Sequence, residues 1–174
     1  ERLPCEGQQV LRIGAVELDP VVARVARAQG LRTEVFCLDD PRQLRGDARQ
    51  AHADFVAAGG HCRPWRGESL DVDVIVDALF GTGLTREISG EAAELLRAAN
   101  AAQRPIVAVD IPSGLHADSG AVLGVAARAA LTVTFIGRKL GFYLGDGPEY
   151  VGRLVCDDLG VPPQTYSTVS ASAR

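Results

Sequence analysis

The chain has 174 residues, a formal net charge of −4 at pH 7 and 47% hydrophobic residues, a length that suits one domain. The acidic balance and the absence of a Lys/Arg cluster argue against a nucleic-acid-binding protein, and no apolar run approaches the ~20 residues that a membrane span needs. The sequence also shows no basic leader with a small-residue cleavage site, so a cytoplasmic protein is expected.

The first two thirds of the chain alternate between strand and helix patterns. A strand is predicted at Val10–Ile13, and Asp19-Pro20 opens a helix because Asp caps helices well and Pro suits the first turn. The other elements predicted in this region are the strands Thr33–Leu38, Arg63–Trp65, Val74–Asp77 and Ile106–Asp110 and the helices Asp47–Ala58 and Glu91–Ala101. This order predicts an α/β fold, a Rossmann-like three-layer sandwich with a mostly parallel central sheet and helices on both faces.

The pattern changes in the last third of the chain. Leu131–Ile136 is a predicted strand that no long helix precedes, Lys139–Gly147 is a Gly-rich loop, and Gly152–Cys156 is another short strand. Residues 1–160 are therefore expected to form one domain. Residues 161–174 are rich in Pro, Ser, Thr and Ala, which predicts a linker or tail.

The four cysteines are widely spaced and form no CxxC pair, so no zinc site is expected. Cys37 and Cys156 lie inside apolar, strand-like runs and are predicted to be buried thiols, which suits a reducing cytosol. His52 and His61 are expected at the surface. Since Ser113 has no GxSxG context and no neighbouring histidine, a Ser–His hydrolase is poorly supported.

Two strand ends carry most of the chemical information. The run Val74-Ile-Val-Asp77 and the run Ile106-Val-Ala-Val-Asp110 each stop at a carboxylate and then break into glycine, proline and hydroxyl residues. Open α/β sheets bind ligands just outside the carboxyl ends of their strands, so both carboxylates are expected at the lip of a crevice. One such Asp alone could simply cap or turn its loop, whereas two favour a binding site.

Three segments near these strand ends have alternative interpretations. The glycines of Gly81–Glu87 could let backbone N–H groups wrap a phosphate or ribose, although an ordinary strand-to-helix connection has the same composition. The oxygen atoms of Asp110 and Ser113 suit an alkali or alkaline-earth cation better than zinc. The loop Lys139–Pro148 is either a lid over a ligand phosphate or a solvated hairpin.

The motifs VDALFGTGL, VDIPSGL, LTVTF, GDGPEYVG and DDLGVP occur in the order found in NAD(P)H-hydrate epimerases, and the chain resembles that family from about Val35 to Pro162. The resemblance implies a Rossmann-like fold and an isomerase that converts the R epimer of hydrated NADH or NADPH to the S epimer, with a bound potassium ion. The family forms the N-terminal half of many bifunctional repair enzymes and is often dimeric. A homodimer and a fused or partner dehydratase domain are therefore implied.

Carried over residue by residue, the resemblance places Asp77 and Ser113 at the potassium site. Asp110 matches the substrate-contacting carboxylate and is the expected acid/base group. The residues that match the family's nucleotide-lining loop are Gly81, Thr82, Gly83, Leu84, Thr85, Arg86 and Glu87.

The first βα turn departs from the family pattern. The family has GNNGGDG there, whereas this chain has Ile13-Gly-Ala-Val-Glu-Leu-Asp-Pro20, without the asparagines and most of the glycines. His116 and Ala130 also stand where the family usually has Asp. The loss of a phosphate-cradling turn predicts an impaired epimerase and leaves an alternative, a non-catalytic nucleotide-binding or protein-interaction scaffold of the same fold. Since the helix that normally precedes the first strand is missing, the domain is expected to be truncated at its N-terminus.

Overall fold

A single parallel sheet organises the described part of the chain. The computed structural model describes residues 10–14, 20–38, 41–162 and 164–165. Within these ranges seven strands form the order β3-β2-β1-β4-β5-β6-β7, and every neighbouring pair is parallel. The strands are β1 Val10–Gly14, β2 Arg32–Cys37, β3 Cys62–Pro64, β4 Val74–Asp77, β5 Ile106–Val109, β6 Leu131–Phe135 and β7 Arg153–Asp157. The predicted parallel α/β architecture is confirmed.

Four α-helices connect or flank these strands in the described ranges. They are α1 Pro20–Ala28, α2 Gly46–Ala57, α3 Gly90–Ala101 and the short α4 Gly147–Tyr150. Two single turns of 3₁₀-helix lie at Pro41–Gln43 and Leu140–Phe142, so the predicted loop at Lys139–Gly147 contains a helical turn. No helix of the described chain is long and apolar enough to span a membrane.

The helices cover both faces of the sheet because strand side chains alternate between them. On one face Ile75 and Ile106 pack in a core with Leu95 and Leu96 of α3. On the opposite face, Ala23 of α1 and Phe55 of α2 belong to a second core. Its strand residues include Val35, Val76 and Val107. These two cores make the fold a three-layer sandwich, as predicted.

Four strands, β2, β3, β5 and β6, end one residue earlier than their patterns predict. Asp110 and Ile136 follow β5 and β6 with φ angles of 69° and 65°, which lie outside the extended region of a strand. The chain then runs from β5 to β6 without a described helix, as the sequence pattern predicts, and an isolated antiparallel bridge joins Leu115 to Val122.

The predictions for the cysteines are partly wrong. Cys37 is buried, but its sulfur is joined to that of Cys62, because the pairing of β2 with β3 brings their Cα atoms to 6.2 Å. Cys156 is exposed rather than buried, since it lies on the edge strand β7. His61 is exposed and His52 is half-buried. The altered turn after β1 and most of the predicted tail, residues 15–19 and 166–174, lie outside the described residues.

Candidate functional site

Two carboxylates lie at the carboxyl ends of the neighbouring strands β4 and β5. Asp77 is the last residue of β4 and pairs in register with Ala108, so Asp110 lies just beyond it on the next strand. The residue Asp77 is 4% exposed, whereas the Asp110 side chain is 29% exposed. The expected crevice edge therefore carries one deeply buried and one accessible carboxylate.

The buried carboxylate is bound to Ser113. The Ser113 backbone N–H donates to Asp77 Oδ2 at 2.8 Å, and the Ser113 hydroxyl donates to Oδ1 at 2.6 Å. Oδ1 also accepts from the Leu79 backbone N–H at 3.3 Å, while Ser113 Oγ accepts from the Phe80 N–H at 2.8 Å. These bonds fasten the loop after β4 to the loop after β5, so the two loops share one rigid junction.

Burial determines the electrostatics of Asp77. Loss of solvent raises the pKa of this carboxyl above its ordinary value, and the hydrogen bonds from Ser113 and Leu79 only partly oppose that rise. No cationic side chain of the described residues pairs with it. The carboxylate, the Ser113 hydroxyl and the Phe80 carbonyl oxygen, which lies 3.4 Å from that hydroxyl, are hard oxygen donors close together.

Asp110 occupies a strained turn. Its own N–H donates to Val133 O at 2.7 Å, and the next N–H, of Ile111, donates back to Val109 O at 2.9 Å. With a φ of 69° at the central residue, this three-residue turn is the uncommon γ-turn of positive φ. A non-glycine residue in such a conformation costs about 1–3 kcal/mol, and strain of this kind clusters at functional sites.

The accessible carboxylate has a cationic partner that the sequence patterns did not reveal. Lys139 Nζ forms an ion pair with Asp110 Oδ1, and that oxygen also accepts from Thr134 Oγ1 at 3.1 Å and from the Phe135 N–H at 3.2 Å. The Lys139 side chain is only 16% exposed. Neither interpretation of the Lys139–Pro148 loop, as a phosphate lid or a solvated hairpin, places its lysine against Asp110.

The predicted nucleotide-lining loop lies open to solvent. Six of the seven residues Gly81–Glu87 are exposed, and Leu84 is half-buried against the core that contains α3. A Cβ built on Gly81 or Gly83 meets no atom within 4 Å. The protein itself therefore does not require glycine at these two positions, which leaves room for a ligand to approach their backbone.

Gly114, by contrast, is fixed by the fold. Its φ is +90°, and a Cβ built there would lie 1.9 Å from the Val125 carbonyl oxygen. We expect Gly114→Ala to lower the free energy of unfolding by about 2–5 kcal/mol, because strain and steric overlap add. Gly83→Ala is the matched control and should leave it unchanged. Urea denaturation measures both variants, and equal midpoints would contradict the packing described for Gly114.

The parallel sheet with helices on both faces defines a Rossmann-like α/β protein, and its two carboxylates lie at the edge where proteins of this architecture bind ligands. The crystal structure of yeast ynu0 has the same fold, with a TM-score of 0.66 and 19% sequence identity over 83% of this chain and 65% of the yeast chain. Residues 20–141 match the model of the family described as YjeF-related protein N-terminus, and the chain belongs to that family.

Relatives with curated names agree with this assignment. The chain is 39% identical over 155 residues to the bifunctional NAD(P)H-hydrate repair enzyme Nnr of Coxiella burnetii, covering 88% of this chain and 32% of the relative. It is 34% identical over 146 residues to the NAD(P)H-hydrate epimerase of Levilactobacillus brevis, covering 82% of this chain and 66% of that protein. The chain thus spans about a third of the length of the bifunctional relative.

Proposed function

We propose that this chain epimerises the hydrated nicotinamide ring of NADH or NADPH, converting the R form to the S form. The observation that carries the proposal is Asp110, a partly exposed carboxylate held in a strained turn at the carboxyl end of β5. The Coxiella and Levilactobacillus relatives are named for NAD(P)H-hydrate repair and epimerisation, which supplies the substrate class.

The reaction needs a group that gives and takes back one proton. Protonation of the ring hydroxyl turns it into a leaving group. The carbon–oxygen bond then breaks, the oxygen keeps the bonding electron pair and departs as water, and the ring nitrogen stabilises the carbon by donating its lone pair. Water then adds to the opposite face and returns a proton. Asp110 is the proposed group for both transfers, and proton transfer of this kind is typically worth about 10²–10⁴-fold in rate.

The exposed loop after β4 is the proposed binding surface for the nucleotide. Its contacting residues would be Gly81, Thr82, Gly83, Leu84, Thr85, Arg86 and Glu87, together with Asp110. Open backbone at Gly81 and Gly83 suits hydrogen bonds to a phosphate or ribose, and Arg86 adds a positive charge for a diphosphate. Binding energy from this end of the substrate would hold the nicotinamide ring beside Asp110.

A potassium ion is the proposed cofactor, held by Asp77 and Ser113. The residues present fit such an ion because a buried carboxylate, to which the described residues supply no cationic partner, lies beside hydroxyl and carbonyl oxygens. In the described ranges no group of three or more His, Cys, Asp or Glu could hold a metal ion, so the donor set suits a weakly bound monovalent cation. The ion would supply positive charge to the crevice and keep the junction of the two loops in place.

The proposal also covers the oligomeric state, the location and the partner domain of the enzyme. We propose a homodimer, as the family resemblance implies, and a cytoplasmic location. The word bifunctional in the names of several relatives supports a second fused or partner domain, which we propose to be a dehydratase. The alternative of a non-catalytic scaffold rests on the altered turn after β1, and residues 15–19 lie outside the described residues. No feature of the described chain favours the scaffold over the epimerase.

Isothermal titration of the chain with hydrated NADPH, in potassium and in choline buffers, tests the proposed binding. We expect saturable binding that is tighter in potassium, and Gly83→Ala should weaken it while stability stays the same, because a methyl group blocks the ligand and no protein atom. Absence of heat with the hydrate in both buffers would contradict the proposed function.

A further inference from the structure

The hydrogen bonds of Asp110 are distributed unequally between its two oxygen atoms. Within the described part of the chain, the ammonium of Lys139, the hydroxyl of Thr134 and the backbone N–H of Phe135 all donate to Oδ1. No bond from these residues reaches Oδ2, although the side chain is 29% exposed. Among the described residues, three donors therefore hold Oδ1, and none holds Oδ2.

The three donors are themselves connected. Lys139 Nζ lies 2.7 Å from Thr134 Oγ1 and 3.2 Å from the Phe135 carbonyl oxygen. Since an ammonium can only donate, the Thr134 hydroxyl accepts from Lys139 and is left to donate its own hydrogen to Asp110. Thr134 is fully buried, so rotation of its side chain is restricted. Lys139 therefore fixes the direction in which the Thr134 hydroxyl donates.

We propose that Lys139, acting with Thr134, is a positioning residue that holds Asp110 Oδ1 and leaves Oδ2 as the oxygen that exchanges a proton with the substrate. This inference rests on the proposed epimerase function. A carboxylate at the tip of a γ-turn would otherwise rotate about its side-chain bonds, and a misplacement of about 1 Å can cost about 10²-fold in rate. The lysine thereby specifies which lone pairs face the crevice.

Kinetics of the conversion of the R hydrate test the proposal. Lys139→Met should lower kcat by about 10–100-fold with less than about a threefold change in KM, since the lysine touches Asp110 rather than the substrate. Thr134→Val should have a smaller effect in the same direction, and Thr134→Ser should restore the wild-type rate. Arg138→Met is the matched control, because it removes the same charge one residue earlier, where the guanidinium donates to the Tyr143 hydroxyl at 3.3 Å and, among the described residues, forms no ion pair.

Crystal structures of the wild type and of Lys139→Met provide a readout that does not depend on activity. We expect the Asp110 carboxylate to rotate away from Thr134 and Phe135 in the variant; Lys139→Leu, which also removes the donor, serves if the methionine variant does not fold. An unmoved carboxylate, or a wild-type kcat in Lys139→Met, would overturn the positioning role while leaving the proposed function intact. If the wild type converts no hydrate, the proposed function fails, and the carboxylate orientations still decide whether Lys139 positions Asp110.

Discussion

Asp110→Asn is expected to abolish epimerisation while leaving the chain folded. An amide cannot exchange a proton at neutral pH, so the conversion rate should fall by about 10²–10⁴-fold. The fold should persist because asparagine tolerates the positive φ of 69° found at this position better than most residues. Chiral chromatography of the hydrate epimers measures the rate, and circular dichroism measures the fold.

Asp118→Asn is the matched control for this substitution. Asp118 is an exposed carboxylate in the loop after β5, so the same chemical change there should leave the conversion rate unchanged. Undiminished conversion by Asp110→Asn would remove Asp110 from the mechanism. An equal loss in both variants would instead point to a general effect of charge.

Potassium is expected to raise the melting temperature relative to a bulky organic cation. A ligand that binds only the folded state stabilises it by about 2.7 kcal/mol at a hundred times its Kd, which corresponds to about 5–10 °C for a chain of this length. Asp77→Ala should erase the difference, and so should the isosteric Asp77→Asn, because both remove the buried charge. Equal shifts in wild type and variants would mean a nonspecific salt effect.

The same site predicts a pH dependence with a definite sign. Burial raises the pKa of Asp77 above the ordinary 3.8, so the folded protein binds this proton more tightly than the unfolded chain. In the organic cation, the contribution of Asp77 to stability is therefore present at pH below 3.8 and is lost as pH rises through the raised pKa. Potassium favours the ionised form, so its stabilising effect should be small below the raised pKa of Asp77 and should grow as pH rises through it.

The strands could be predicted because each short apolar run is followed by a local stop signal, and their parallel direction could be predicted because strands alternate with helices in the first two thirds of the chain. Val74–Asp77 has the predicted bounds, and the other strands differ from prediction by one residue at one or both ends. Pairings between distant segments could not be predicted in this way. The contact of Cys37 with Cys62 depends on β3 lying beside β2, and the exposure of Cys156 depends on β7 having a neighbour on one side only.

In the candidate site, too, the local features could be predicted and a contact between distant segments could not. The ends of two adjacent parallel strands had to meet, and the structure places Asp77 and Ser113 in direct contact, although their role as potassium ligands stays a prediction. The partner of Asp110 was missed because Lys139 lies 29 residues away, beyond a third strand. A lysine shortly after the neighbouring strand β6 was the available signal, but its loop pattern does not specify that the side chain turns inward.

The most direct test of the proposed function is the time course of this chain acting on purified R hydrate of NADPH in potassium buffer. The S epimer should appear faster than in a protein-free control, and purified S hydrate should approach the same final mixture from the other side. Appearance of S at the protein-free rate, at protein and hydrate concentrations where titration shows binding, would contradict the epimerase and leave a nucleotide-binding scaffold.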